Sequence, residues 1–350
     1  MAFREKMWEL PDDPEEWLRF TEREEIGDGL PVIPPTRARL AEFLRSTDRD
    51  PDEVIGAITP SWGQATVRAL AINAIMAGAR PESLAVVIAA VQALVEPVFN
   101  LTAVQVTTNP VTPAVIVSGP AAARAGLTSG RGYLGPGHRG NITTGRALRL
   151  ALINIGGALP GAVDRATHGQ QAKFGMVLAE NEADSPWETL AASRGVDAAS
   201  ALTVTGVASL LNHYDSVSTS GDEVLTNLAG SLTVSGTNTF QNGGHVTVLL
   251  GPEHAGLIAK EGLSRADVQR ELYERSWAPE TAFTPRLLEV VRRRRGRFPE
   301  VFRDGMVRGL DTPEALNVVV AGGEGKHSVV CFSSSSAKTV TREIDPRDLR

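Results

Sequence analysis

Apolar positions along this chain fall into short solid runs and longer helical ones. The segments at 114–118 (AVIVS), 246–250 (VTVLL) and 317–321 (NVVVA) are blocks of β-formers closed by glycine. They do not alternate apolar with polar, so each reads as a strand buried on both faces. Segments 52–60, 101–107, 173–179, 201–210, 231–235 and 339–344 read as further strands. Residues 63–78 (GQATVRALAINAIMAG) and the run from Pro81 to about Leu94 read as helices apolar on most faces, hence buried between other elements. Asp13-Pro14 opens a helix with Glu15 and Glu16 in its first turn. Thr36 caps a helix over 37–44, and Ser264 with Asp267 makes a capping-box start. Residues 212–223 read as a polar loop. The run Arg292 to Arg295 points in all directions around a helix and reads as a solvated face.

Three segments share one design, a block of β-formers followed by glycine and a polar cluster: AVIVSGP at 114, VTVLLGPEHA at 246 and NVVVAGGEGKH at 317. The first two also share a later Gly-Leu-(Thr/Ser), at Gly126 and Gly262. The pattern predicts an α/β fold: mixed or parallel sheet units covered by helices, with a degenerate internal repeat. The expected organisation is an N-terminal arm over 1–26, pinned by Trp8 and Trp17, a first α/β lobe over 27–200 and a second over 201–350. One interwoven domain is the alternative. In such sheets ligands collect beyond the carboxyl ends of the strands, where the glycines and polar clusters fall here.

The chemistry-bearing residues sit on those loops. GPGHRGNITTGRALRLALINIGG, at 135–157, is a glycine turn running into an apolar helix. With Thr143 or Thr144 as its N-cap, the helix start would suit an anion, helped by Arg139 and Arg146. The same stretch equally fits a glycine turn packing a core helix, with its arginines in ordinary ion pairs. GDGLPVIPPT, at 27–36, is a stiff loop whose polar group is Asp28. Asp164 and His168 share one loop and can pair. Glu180 and Glu182 flank Asn181, and on an extended segment they would face one side and split their pKa values into an acid and a base. A solvated acidic turn is the plainer reading. Glu253-His254 suits a general base or a ligand, or only a helix start. Lys326, beside His327, and Arg342 could hold a carboxylate or phosphate.

Composition narrows the classes. Of 350 residues 42% are hydrophobic and 22% charged, and the net charge is −6, so nothing favours nucleic acid or an anionic membrane. The single cysteine, Cys331, leaves no intrachain disulfide or thiolate cluster and reads as an inert core residue. The opening MAFREKMWELPDD has no apolar signal core, and the longest apolar run, near 84–95, is interrupted by Gln92 and too short to span a bilayer. A cytoplasmic homo-oligomer is expected. GxxxxGK[ST], GxGxxG after a strand, GxSxG, HExxH and CxxC patterns are missing, so no cofactor and no metal are expected.

GDGLPVIPPT, NAIMAGARPE, GPGHRGNITTGRALRLALINIGG, AENEADSPW and GPEHA together resemble a bacterial family with a GDGLPxxPPT loop. Its members are often fused to, or encoded beside, small proteins named for a UGSC (selenocysteine-Gly-Ser-Cys) motif. The resemblance covers about Gly27 to Ile344 and implies no particular reaction. The family pattern has cysteine where this chain has Ala79 and near Met176, which puts a thiol role in doubt here. Positions matching its most regular motifs are Asp28, Asn141, Arg146, Asp164, Lys173, Glu180, Glu182, Trp187, Glu253 and His254.

The resulting expectation is an enzyme acting on a small polar, anionic molecule by general acid–base chemistry, as a lyase or hydrolase. Glu180, Glu182, His254, Asp164 and Lys173 are the candidate catalytic groups. Asp28, Asn141, Arg146, Trp187, Glu253, Lys326 and Arg342 are the candidate substrate-binding groups. One alternative is an accessory partner of a thiol or selenol redox protein of the UGSC type. The other is a metal-dependent hydrolase or hydratase, which needs His254, His168 or His138 to converge with carboxylates.

Overall fold

The computed structural model describes residues 7–334 and 336–350. Residues 1–6 of the expected arm lie outside the described part. In the rest of the arm, helix α1 (Pro14–Arg23) starts where Asp13 accepts the Glu15 N–H, and Trp17 donates its indole N–H to the Val32 carbonyl. The arm is thereby tied to the stiff loop at 27–36. Thr36 caps α2 (Arg37–Leu44) as expected.

Two four-stranded mixed sheets form the centre. The strands are β1 (Thr112–Ser118), β2 (Met176–Ala179), β3 (Ala201–Val207), β4 (Ser209–Tyr214), β5 (Val246–Leu250), β6 (Leu316–Val320), β7 (His327–Phe332) and β8 (Val340–Glu343). The first sheet runs β8-β3-β1-β2, with β1 and β2 parallel and the other pairs antiparallel. The second runs β6-β5-β7-β4, with β5 and β6 parallel and the rest antiparallel. The two sheets thus have one topology, in which β1 matches β5, β2 matches β6 and β3 matches β7. Their fourth strands are exchanged. The chain leaves β3 and enters β4 in the second sheet, then leaves β7 and returns through β8 to the first.

This exchange corrects the lobe boundary at 200/201. Strands β3 and β8, assigned by sequence to the second lobe, complete the first sheet. It also refines the repeat. The segments at 114 and 246 occupy matching places, each strand followed by glycine and a helix begun by proline, Pro120–Arg124 and α7 (Pro252–Ala259). The third segment is β6, the parallel neighbour of β5, and starts no further unit.

The sheets stack face to face. Ala114, Ile116 and Leu178 from the first meet Leu249, Val319 and Cys331 from the second in one buried cluster. Successive side chains of a strand point to opposite faces, so Val115, Val117, Val177, Leu202 and Val204 point outward, under α3 (Val67–Ala77), α4 (Leu84–Leu94) and α5 (Arg139–Asn154). Val246, Val248, Leu250, Val318 and Val320 point the other way, under α6 (Gly221–Ser231), α7 and α8 (Arg265–Arg275). The result is an α/β fold of four layers, helices on both outer sides of two sheets. Strands β1, β2, β3, β5 and β6 are buried along their whole length, which is why the blocks at 114, 246 and 317 are solid runs rather than alternations.

Some local expectations fail for identifiable reasons. Segment 101–107 is helical over Leu101–Gln105, because its buried residues Leu101, Val104 and Gln105 lie at helical spacing that five residues cannot distinguish from alternation. Segment 231–235 is the end of α6, held by a Ser220–Glu223 capping box, and a turn. Residues 63–66 pair as a hairpin with Val54–Ile58 before α3 begins. Arg295, read as solvated, is buried: its guanidinium donates to Asp311 at 2.8 Å and to the carbonyls of Phe240 and Arg308, at the end of α9 (Pro285–Arg295). Among the described residues no single helix is long and apolar enough to cross a membrane. The most apolar adjacent pair, Pro81–Leu94 and Pro97–Gln105, is bent by 74°.

Helix α5 is held against the first sheet by a contact between two glycines. A Cβ on Gly145 would lie 2.7 Å from the Gly175 carbonyl carbon and 2.9 Å from the Met176 nitrogen. Gly175 also has φ +124°, a region that side chains avoid. G145A therefore pushes α5 off the turn before β2, at an expected cost of about 1–3 kcal/mol. Urea denaturation checks this, and an unchanged midpoint contradicts it.

Candidate functional site

Where α5 approaches that turn, the surface opens into a cleft of about 540 Å³. Its walls include Asp28, Arg149, Asp164, His168, Gln170, Lys173 and Phe174. Three elements build it. Helix α5 presents Arg149 inside an otherwise apolar face. The loop at 159–170 is folded on itself by Asp164 N–H to Leu159 O and Gly161 N–H to Asp164 O. The short helix Gln171–Phe174 presents Lys173. Gln170 fastens this loop to the first sheet by donating to the carbonyls of Pro110 and Val207.

Asp164 is the buried centre of the cleft wall, 6% exposed. It accepts from Arg149 Nη2 at 2.8 Å, from Lys173 Nζ at 2.8 Å, and from the Ala166 N–H at 3.3 Å. Burial raises its pKa, but the hydrogen bonds and charges of Lys173 and Arg149 outweigh that and hold it below the usual carboxylate range. Lys173 goes the other way for a lysine. Burial, its largest influence, leaves its pKa below normal despite Asp164, and Arg149 adds repulsion. Two cations thus share one carboxylate, a local surplus of one positive charge. Asp28 adds none, because Arg146 neutralises it in a two-point pair, Nε to Oδ2 at 2.7 Å and Nη2 to Oδ1 at 2.8 Å. His168 is exposed on the cleft wall.

Asp28, Asp164 and Lys173 are the sequence-derived candidates that converge here. Asp164 pairs with Arg149 and Lys173 rather than with His168. Arg149 escaped the sequence reading, although a charged residue within the apolar run of α5 was a usable signal.

The other candidates are placed elsewhere. Helix α5 begins at Arg139, not at Thr143 or Thr144, and those threonines bond within the fold, to the Arg139 carbonyl and to Ser83. Arg146 is spent on Asp28 and on the carbonyls of Leu30 and Pro31, so it braces the 27–36 loop instead of awaiting an anion. Asn141 pins the preceding loop through Thr128 and Tyr133. Arg342 pairs with Glu96 at 2.6 Å, away from the cleft walls. Lys326 donates to the carbonyls of Ser216 and Ser218, and Glu253 accepts the Gly325 N–H at 3.0 Å.

Glu180 and Glu182 do not form a proton-sharing pair. Glu182 is exposed and accepts the Gly119 N–H at 2.6 Å. Glu180 is buried beneath α8, where Arg265 Nη2 lies 3.0 Å away, with the Ser118 hydroxyl and the Leu190 N–H also donating to it. Burial raises its pKa against the opposing pull of Arg265 and these donors. Arg265 also donates to the carbonyls of Val318 and Glu188, and Trp187 lies beside its guanidinium while donating to the Leu263 carbonyl. This group is the polar seam between the two halves. His254 is wholly buried between the Ser328 hydroxyl and the Asp215 carbonyl, and His138 bonds the Arg131 carbonyl, so these two do not converge with His168. Cys331 lies in the layer between the sheets, where burial pushes its thiol up to about 12.

No model of a protein family matches this chain, and no curated protein matches it.

Two outcomes follow from these burials. R265M leaves the Glu180 carboxyl buried without its cation, and unfolding free energy should fall by about 3–5 kcal/mol. The double change R265M/E180L should recover most of it, and equal losses in both variants would contradict the seam. His245 is the second case. Burial first, then Arg194 and Lys338, lowers its pKa to about 4 against the pull of Asp311. The unfolded chain takes up this proton near the ordinary histidine value of about 6.5 and the folded chain does not, so stability falls as pH drops from about 6.5 to about 4. His213, also lowered chiefly by burial, adds to the fall. Melting temperatures across that window should decline less steeply for H245N, and parallel curves would refute the assignment.

Proposed function

We propose that the chain is an enzyme that binds a small anion in the Asp164–Lys173 cleft and moves a proton on it, as a lyase or hydrolase. One observation carries the reading: Arg149 and Lys173, both largely buried, share the single carboxylate of Asp164 at a cleft wall. A cleft with low-dielectric walls and a surplus positive charge attracts an anion and holds it more strongly than water would allow. Arg149 offers the forked donor geometry suited to a carboxylate or phosphate. His168 lines the same cleft, and an imidazole is a side chain able both to accept and to give up a proton. Phe174, half exposed beside it, supplies an apolar wall for the rest of a small substrate.

In this reading Asp164 orients Lys173 and Arg149, and the proton-moving role passes from Glu180, Glu182 and His254 to His168. The Asp28–Arg146 pair fixes the position of the 27–36 loop at the cleft edge.

Thermal-shift measurements with mono- and dicarboxylates and phosphate esters test the reading. At least one class should raise the melting temperature of the parent protein, and R149M should abolish that rise. With a binding class in hand as substrate, H168N should keep the rise while turnover falls by about 10²–10⁴. If no anion raises the melting temperature, or if R149M responds like the parent, the reading is wrong.

A further inference from the structure

The cation that Lys173 supplies is unusual for this chain. The sequence has thirty arginines and only five lysines, Lys6, Lys173, Lys260, Lys326 and Lys338. The buried ion pairs around Asp348, Glu180 and Asp311 are built with Arg49, Arg265 and Arg295. Arginine serves such a place well, since it stays charged and offers several fixed donors. Asp164 already has one arginine, Arg149. Its second partner is a primary amine, and that amine lines the cleft with its side chain 12% exposed.

A primary amine can do what a guanidinium cannot, which is to attack a carbonyl carbon. Three features suit Lys173 to that task. Its Nζ touches Asp164 at 2.8 Å, so a proton acceptor is in contact. Burial and the neighbouring Arg149 both disfavour its charged form, as they do for nucleophilic lysines generally. Its backbone is fixed at the Gly145–Gly175 contact, with Gly175 N–H bonded to the Ala172 carbonyl and Lys173 N–H to that of Gln170, so the amine is aimed rather than free. Lys173 Nζ also donates to the Val111 carbonyl at 3.4 Å, whereas Lys326 is held by the carbonyls of Ser216 and Ser218 and does not line the cleft.

We propose that Lys173 forms an imine with the carbonyl group of a small 2-oxo carboxylate held in the cleft by Arg149. This rests on the anion-binding reading above and names the substrate class for the same site. The step is balanced without an oxidant or reductant. As the ammonium passes a proton to Asp164, the nitrogen lone pair forms a bond to the carbonyl carbon, and the carbonyl π pair moves to oxygen, which takes a second proton from that nitrogen to give a neutral carbinolamine. The resulting carbinolamine loses its hydroxyl as water, with His168 supplying the proton and the nitrogen lone pair expelling it. An ammonium and a carbonyl become a protonated imine and one water. A protonated imine next to a carboxylate withdraws electrons from the neighbouring carbon, which turns the amine into the electron sink of a lyase.

Reductive trapping tests this on the full-length protein. Glyoxylate, pyruvate and 2-oxoglutarate are each added with sodium cyanoborohydride, and the protein is analysed by intact mass and peptide mapping. At least one acid should leave a single adduct, mapped to Lys173 and not to Lys260, Lys326 or Lys338. K173R keeps a cation beside Asp164 and should melt near the parent temperature while losing about tenfold or more of the adduct. Lactate, with a hydroxyl in place of the 2-oxo group, should stabilise the protein without labelling it. If a 2-oxo acid raises the melting temperature and no adduct forms at Lys173, the imine is ruled out while the anion cleft stands. If the acids neither stabilise nor label, or label all lysines alike, the imine is again ruled out, and the thermal-shift panel decides the cleft independently.

Discussion

Burial of one apolar layer shared by two sheets is the constraint on which this structure depends. Each sheet needs two covered faces, and each obtains one from the other through residues such as Ile116, Leu178, Leu249 and Val319. That leaves the outer faces for helices and fixes the four-layer order. A seam between two sheets still has to dispose of polar atoms at its edge. Glu180, at the end of β2, meets Arg265, at the start of α8, and Ser118, Leu190, Val318 and Glu188 make further hydrogen bonds to the pair, while Arg265 Nε is buried without a partner. Buried charges are tolerable when paired and hydrogen-bonded in this way. The carboxylate that looks most catalytic in the sequence therefore belongs to the joint between the halves.

The cleft arises from a different demand, that of bringing a helix close to a turn. Only glycine at 145 and 175 allows the backbones of α5 and the Lys173 turn to touch. That closeness sets Arg149 and Lys173 around one carboxylate. Like charges so placed repel each other, and Asp164 relieves the repulsion only in part. An arrangement that would be costly as pure scaffold becomes useful if an anion completes it, and strained electrostatics of this kind are common where proteins bind ligands.

How far the sequence carried the argument depends on how local each signal was. The blocks at 114, 246 and 317 became β1, β5 and β6 because a solid apolar run has few other places to go. Thr36 and Ser264 capped helices as read, since a cap is decided within a few residues. The exchange of β4 and β8 was illegible, because strand pairing across more than a hundred residues leaves no mark in either segment alone. The site was partly legible: Asp28, Asp164 and Lys173 stand on loops that glycine and proline make conspicuous. Glu180 and His254 misled because a carboxylate after a strand and a histidine at a helix start look the same whether they face solvent or a packed neighbour. Only tertiary burial separates the two cases.

The traded strands also bear on how the molecule can be made. Strand β3 is hydrogen-bonded to β8, which lies more than a hundred residues further along the chain. On a ribosome, the first sheet therefore waits with an open edge at β3 while the whole second sheet is synthesised. Neither half can mature ahead of the other, because each holds a piece that its twin requires. Long-range pairing of this sort slows assembly and lengthens the time for which a bare strand edge is available to other chains. The interlock that welds the finished protein into one body is thus also the stage at which the nascent one is most exposed to misassembly.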